Sequence, residues 1–213
     1  PSSASLTILD TDGARVRTFG PKPVGYDEWS DEQKAAQPGP WVPVRPGPNR
    51  FFWDQRHAGS VPVPGDKTGV KSLSGPFVLP GVYQVKLTVG ETILTQPFEV
   101  VNDPRSGVSQ TDLAEHLALL LRIHDKISDA HKAIIRLRSV REQLVGWRTR
   151  LSDQSEIIEL MEDLGSKLDA VEDELILPGD QMDTFGLNQR VRLNAALCSV
   201  ISVVASADAR PTV

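Results

Sequence analysis

The stretch Leu79-Pro-Gly-Val-Tyr-Gln-Val-Lys-Leu-Thr-Val-Gly-Glu91 decides the fold of the first half of the chain. From residue 82 to residue 89 its apolar and polar side chains alternate, which is the pattern of a β-strand with one buried face. The buried face should hold Tyr83, Val85, Leu87 and Val89. The pair Gly90-Glu91 fits a tight turn, so residues 92–101 should return as the hairpin partner, with Pro97 favouring an edge position or a bulge.

Further short strands precede this hairpin. Residues 6–9 and 16–19 flank the turn Asp10-Thr-Asp-Gly13, in which a glycine can adopt a positive φ angle. Residues 49–54 predict an aromatic strand with Phe51 and Trp53 on one face. Several short strands separated by turns are typical of a small antiparallel β-sandwich.

A long Pro- and Gly-rich insertion at residues 20–48 interrupts these strands. It should cross the surface as irregular chain, with one or two helical turns within residues 27–36. Three tryptophans are the candidate ligand-binding residues, since an exposed indole can stack on a sugar ring. Trp29 and Trp41 lie in the insertion and should pin it to the sandwich, and Trp53 should be a core residue.

The composition changes at about residue 108. Residues 1–108 contain 14 of the 16 prolines and 12 of the 16 glycines, whereas residues 109–213 read as long helices. Apolar side chains at helical spacing predict helices near 112–151, 154–176 and 187–206, the first with Thr111 as its N-cap. Three amphipathic helices with short connections predict an antiparallel three-helix bundle at 109–213. The fold class is therefore α+β, with two domains.

The charge distribution supports the pairing of the first two helices. The whole net charge of −5 comes from residues 109–213. Residues 122–150 carry eight basic and three acidic residues, and residues 156–174 carry eight acidic and one basic residue. An antiparallel hairpin would place these stretches side by side, so the basic stretch should be neutralised, which argues against nucleic-acid binding. The most apolar stretch, residues 193–207, is shorter than the ~20 residues that span a bilayer.

Motifs that carry chemistry are absent from the sequence. It contains no glycine-rich phosphate loop, CxxC pair, HExxH or GxSxG motif. His124 and His131 lie about 10 Å apart along a helix, too far to share one zinc ion, and His116 has no histidine partner at i+4. All three should be partly exposed, and Cys198 should be a small buried apolar residue. We therefore expect no catalytic residue, no metal site and no cofactor.

Three segments carry a family resemblance. They are Ser5-Leu-Thr-Ile-Leu-Asp-Thr-Asp-Gly-Ala-Arg-Val-Arg-Thr-Phe19, Gly47-Pro-Asn-Arg-Phe-Phe-Trp-Asp-Gln-Arg56 and the strand of residues 79–89. Their order resembles the C-terminal region of bacterial sortilin-like, neuraminidase-repeat (BNR) propeller proteins, often labelled glycosyl hydrolases. Residues 95–105 and 205–212 are also similar to that region. In that family a β-propeller precedes an Ig-like sandwich and a helical segment follows it.

The resemblance implies an Ig-like sandwich at 1–108 and a non-catalytic accessory role in a larger secreted or periplasmic bacterial protein. The partner would be the propeller of the same parent chain or another protein. The chain itself contains no S-x-D-x-G-x-x-W aspartate box. Two alternatives remain open: a carbohydrate-binding module that uses Trp29, Trp41 and Trp53, and self-association through the helical half.

Overall fold

The computed structural model describes residues 4–66, 74–151, 153–177, 190–207 and 210. The protein is α+β: a four-stranded antiparallel sheet is followed along the chain by three long helices. Two compact units are present, the first made of residues 1–60, 74–122 and 204–213 and the second of residues 61–73 and 123–203. These units do not coincide with the predicted domains 1–108 and 109–213, and that division stays a prediction.

The sheet belongs to the first unit. Its strands are β1 (Ala4–Leu9), β2 (Arg15–Phe19), β3 (Gly81–Val89) and β4 (Thr92–Val100), in the order β2-β1-β3-β4. The predicted hairpins are confirmed, since β1 pairs with β2 and β3 pairs with β4, all antiparallel. Pro97 lies in β4 at one edge of the sheet, where a missing N–H is tolerated.

The turn between β1 and β2 is built on one carboxylate. Asp10 Oδ1 accepts hydrogen bonds from the backbone N–H groups of Asp12 at 3.0 Å and Ala14 at 2.7 Å. Gly13 has a φ angle of 79°, in the region that favours glycine. The turn predicted from Asp10 and Gly13 is therefore confirmed, since the carboxylate bonds to the turn backbone and the glycine adopts the positive φ angle.

One face of the sheet packs on extended chain segments. The core consists of Ala4, Ile8, Val16, Phe19, Val42, Val78 and Tyr83, with Phe51 and Trp53 packed against it. The predicted strand at 49–54 is wrong, because these residues join no β-ladder and only Arg56 forms an isolated bridge, to Phe77. Its predicted facing is nevertheless confirmed, since Phe52 is 74% exposed.

Short helices within the 20–48 insertion confirm the prediction for residues 27–36. A 3₁₀ helix covers Tyr26–Glu28, and α1 covers Asp31–Ala36. A capping box begins α1: Ser30 Oγ accepts from Gln33 N at 3.2 Å, and Gln33 Oε1 accepts from Ser30 N at 2.9 Å.

The long helices are α2 (Gln110–Arg150), α3 (Ser155–Leu175) and α4 (Leu193–Val204). The prediction of Thr111 as the N-cap of α2 is wrong, because Thr111 lies inside the helix. The side chain of Ser109 caps it instead, accepting from Asp112 N at 3.1 Å. Part of the predicted start of the third helix, residues 187–189, lies outside the described residues. None of these helices, within the described chain, is long and apolar enough to cross a membrane.

The second unit has an aliphatic core and one uncovered apolar row. Val63, Ile134 and Ile176 form a buried cluster. The apolar stripe of α3 is covered only in part. An outer row on α3 stays exposed, namely Ile157 (38%), Leu160 (69%), Leu164 (40%) and Val171 (51%). The apolar surface of α3 is therefore wider than the surface that its neighbours cover.

Candidate functional site

The first candidate site is an aromatic cluster in the insertion. The ring of Tyr26 lies 5.2 Å from that of Trp29 and 5.3 Å from that of Trp41, centroid to centroid. All three rings are half-buried. Lys22 lies 5.5 Å above the ring of Tyr26 and pairs with Asp27 at 2.6 Å. The cluster thus offers aromatic surface beside a charged pair.

The third predicted tryptophan lies elsewhere. Trp53 packs edge-on against Tyr83 and Phe98, with ring centroids 6.2 and 6.0 Å away, and its Nε1 donates to the carbonyl of Arg56 at 3.0 Å. A tryptophan held in this way is a core residue with its polar atom satisfied. The structure therefore brings Trp29 and Trp41 together and leaves Trp53 in the core, whereas Tyr26 is a member of the cluster that the sequence did not single out.

A cleft of about 270 Å³ lies in the first unit near the start of α2. The lining residues are mostly apolar, and the charged residue among them is Arg56. Another lining residue, His116, is 6% exposed and its Nε2 lies 2.8 Å from the carbonyl oxygen of Val204. Arg56 has an acid two residues before it, Asp54, but forms no ion pair with it. In the structure Asp54 pairs with Arg17 at 3.0 Å instead.

A second cavity in this unit, of about 280 Å³, is lined by Asp10, His57, Tyr83 and Gln110 among others. Burial lowers the pKa of His57 below its ordinary value of 6.5, with the carboxylate of Asp10 opposing the shift. Burial also raises the pKa of Tyr83 above 10.0, and its hydroxyl donates to the carbonyl of Leu79 at 2.8 Å. The tyrosine is thus a neutral, structurally engaged group.

Two arginines in the second unit converge on a buried carboxylate. Glu172 Oε1 accepts from Arg138 Nε at 2.8 Å, and its Oε2 accepts from Arg141 Nη1 at 2.6 Å. Burial by itself would raise the pKa of Glu172, but the hydrogen bonds and charges of both guanidiniums outweigh it, and the pKa falls below 4.5. Arg141 also pairs with Asp169, and Arg148 pairs with Glu162 at 3.0 Å.

These pairs confirm the predicted antiparallel hairpin of α2 and α3. As the partner number rises along α2, it falls along α3: residue 138 pairs with 172, residue 141 with 169 and 172, and residue 148 with 162. The basic stretch of α2 is therefore faced by the acidic stretch of α3, as the charge pattern indicated.

The histidines of α2 are buried, so the prediction of partial exposure is wrong. His116 and His124 are 6% exposed and His131 is 1% exposed. In the second unit His131 Nδ1 contacts the carbonyl of Val61, and its Nε2 lies 2.8 Å from Asn194 Oδ1. The amide of Asn194 in turn donates to Asp66 Oδ2 at 3.2 Å. The histidine therefore links α2, α4 and the segment at residues 61–66.

Cys198 is buried on α4, as predicted, and its Sγ lies 3.6 Å from Asn194 Oδ1. Within the described residues, no group of three or more His, Cys, Asp or Glu side chains is arranged to hold a metal ion. Comparison with protein-family models, with curated proteins and with solved structures gives no match.

Proposed function

We propose that this chain is a non-catalytic accessory region of a larger secreted or periplasmic bacterial protein, of the sortilin-like, neuraminidase-repeat kind, and that it contacts the propeller of the same parent chain. The observation that carries the proposal is the outer row of α3. It leaves four aliphatic side chains, Ile157, Leu160, Leu164 and Val171, between 38% and 69% exposed. Contiguous exposed apolar surface marks protein-contact sites in soluble proteins.

We also propose that the sheet belongs to an Ig-like sandwich and that the long helices form a three-helix bundle. An Ig-like sandwich is supported by Tyr83, which lies near the start of β3 and whose hydroxyl bonds back to the carbonyl of Leu79 at 2.8 Å. A tyrosine at the start of a strand that bonds to upstream backbone is a hallmark of such sandwiches. The packing of Trp53 against Tyr83 agrees with this assignment. A three-helix bundle is supported by the ion pairs of α2 with α3 and by the bond from His131 to Asn194 of α4.

A non-catalytic role is supported by the hydrogen bonds of three polar side chains, Glu172, Asp10 and Tyr83. Glu172 accepts hydrogen bonds from two guanidiniums of α2. The carboxylate of Asp10 forms a turn, and the hydroxyl of Tyr83 holds backbone. Such groups stabilise the fold, and their hydrogen-bonding capacity is used within it.

A pair of substitutions on α3 tests the contact. Leu160→Glu and Leu164→Glu together should weaken binding of the full chain to its separately produced upstream region by about tenfold or more, because burying two charges opposes association. Ala170→Glu is the matched control, since Ala170 is exposed on another side of α3. Binding should be measured by calorimetry, and far-ultraviolet circular dichroism should show both variants folded.

Each outcome decides between assignments. Equal binding by the double variant and the control would refute the outer row as the contact. Concentration-dependent dimerisation that the double variant abolishes would assign the row to a second copy of the chain. A reading frame without aspartate boxes upstream would remove the suspected parent, and hydrolysis of glycosides by the purified chain would overturn the non-catalytic role.

A second candidate function is carbohydrate binding, which is favoured by the cluster of Tyr26, Trp29 and Trp41. Titration with polysaccharides should then change the tryptophan fluorescence, and Trp29→Ala should abolish the change while Trp147→Ala preserves it. Trp147 is a suitable control because it is 51% exposed on α2 and belongs to the second unit, whereas the cluster belongs to the first. If no polysaccharide changes the tryptophan fluorescence of the native chain, carbohydrate binding is refuted and only the accessory role remains.

A further inference from the structure

The backbone that presents Arg56 is held in an uncommon conformation. Gln55, the residue before it, has a φ angle of 57° and is the one non-glycine with positive φ among the described residues. Two backbone hydrogen bonds fix this turn: Val78 N donates to Gln55 O at 2.8 Å, and His57 N donates to Pro76 O at 2.9 Å. Backbone in this region costs free energy and persists only where its surroundings enforce it.

Close contacts then fix the side chain of Arg56. Its guanidinium carbon lies 3.6 Å from the centroid of the Phe77 ring, and Nη1 donates to the carbonyl of Gly75 at 2.9 Å. A Cβ atom at Gly75 would lie 2.2 Å from the carbonyl oxygen of His57, so only glycine permits this approach. The guanidinium is thus held in one orientation before any ligand arrives.

No carboxylate in the described chain pairs with Arg56, although the residue is half-buried. The nearest acid in sequence, Asp54, accepts from Arg56 through the backbone N–H at 3.3 Å while its charge pairs with Arg17. Nη1 donates to the carbonyl of Gly75, Nε and Nη2 have no hydrogen-bond partner among the described residues, and Arg56 lines the cleft. A partly desolvated guanidinium is normally matched by an anion.

The cleft beside this guanidinium is walled by aliphatic side chains. Val78, Val100, Leu113, Leu117 and Leu120 all line it, and its volume is about 270 Å³. That volume lies just below the range of about 300–1,000 Å³ for small-molecule sites, so only a small ligand would fit. A cleft that combines these aliphatic side chains with one fixed guanidinium is complementary to a small molecule with an apolar body and one negative charge.

We propose that this cleft binds a small amphipathic carboxylic acid, whose carboxylate bonds to Arg56 and whose apolar body lies against the leucines of α2. One guanidinium fork matches one carboxylate in geometry and charge. A phosphate monoester, which carries close to two negative charges, would require further cations. Arg56 is the single arginine in the lining and no lysine is present there, which selects the carboxylate.

Three compounds of one chain length test the proposal on the full native chain: octanoate, methyl octanoate and octylamine. Calorimetric titration should show saturable binding of octanoate, and binding of the neutral ester and the cationic amine weaker by about tenfold or more. Amide chemical shifts in the nuclear magnetic resonance spectrum should move at Phe77 and Leu117, which places the compound in the cleft. Equal affinity for octanoate and its methyl ester would overturn the proposal without any variant.

A matched pair of arginine variants completes the test. Arg56→Gln should weaken octanoate binding by about tenfold, whereas Arg50→Gln should leave it unchanged. Arg50 is the appropriate control because it also lies over an aromatic ring, Phe52 at 5.8 Å, but does not line the cleft. Unchanged binding by Arg56→Gln, or equal losses in the two variants, would refute the site, while the accessory role proposed above would stand.

Discussion

Replacing Glu172 by glutamine should lower the free energy of unfolding by about 2–4 kcal/mol at neutral pH. The glutamate side chain is 8% exposed and accepts from Arg138 at 2.8 Å and from Arg141 at 2.6 Å. A hydrogen bond to a charged group contributes about 1.5–3 kcal/mol. Glutamine keeps one oxygen acceptor but turns an N–H₂ donor toward a guanidinium, so at least one of the two bonds is lost.

Two features keep this magnitude below the full value for a buried ion pair. The side chains of Arg138 and Arg141 are 31% and 36% exposed, so water screens their charges in part. Arg141 also retains its pair with Asp169. The loss should therefore lie between that of a surface pair and the ~3–5 kcal/mol seen when a fully buried pair is broken.

The matched control is Glu162→Gln, which removes the same charge from the same helix. Glu162 pairs with Arg148 at 3.0 Å, with side chains 55% and 62% exposed, so its loss should stay below about 1 kcal/mol. Urea unfolding followed by far-ultraviolet circular dichroism measures both variants. If Glu172→Gln costs no more than Glu162→Gln, the burial and pairing assigned to Glu172 are wrong.

The pH dependence supplies a second measurement. The pKa of Glu172 in the folded chain lies below its ordinary value of 4.5. A depressed folded pKa stabilises the protein above the unfolded pKa, and this stabilisation is lost as the pH falls through the folded value. The native chain should therefore lose stability on acidification below about pH 4.5 more steeply than Glu172→Gln. Parallel acid profiles of the two proteins would contradict the shift.

Three further substitutions are expected to lower the free energy of unfolding, each measured by chemical denaturation. Gly75→Ala should cost about 2 kcal/mol or more, because its new Cβ would overlap a carbonyl oxygen, whereas Gly107→Ala, with open space around it, should be nearly neutral. Tyr83→Phe should cost about 1 kcal/mol, because the hydrogen bond to the carbonyl of Leu79 is lost. An unchanged free energy of unfolding would remove the support that this bond gives to the Ig-like sandwich. His131→Phe should cost about 2 kcal/mol, because the ring loses its contacts with Val61 O and Asn194 Oδ1, and a stabilised variant would show that these contacts do not stabilise the second unit.

Much of the local structure could be predicted from sequence. The alternation in residues 82–89 predicted β3, and the apolar repeat and charge blocks predicted α2, α3 and their antiparallel pairing. These predictions succeed because the period of a strand or helix is set by local geometry. The strand at 49–54 failed for a non-local reason, since an aromatic segment can pack against a sheet without joining its hydrogen-bond ladder.

The candidate sites were less predictable. Trp29 and Trp41 were named from sequence, but Tyr26, which joins them, was not. Glu172 was one of eight acids in its stretch, and no local signal separated it from its exposed neighbours. Glu172 lies on the covered side of α3, and only the tertiary structure shows which side is covered.

By itself, the sequence determined most of the strands and helices and where the turns fall, because these depend on residues a few positions apart. Its opposite charge blocks also determined which two helices attract each other. Only the tertiary structure decided which apolar row of α3 is covered, which oxygen atoms meet His131, and that Arg56 lines an apolar cleft while its neighbouring acid pairs with Arg17. Those outcomes join side chains far apart in the chain, and many folds would satisfy the same local patterns with different neighbours.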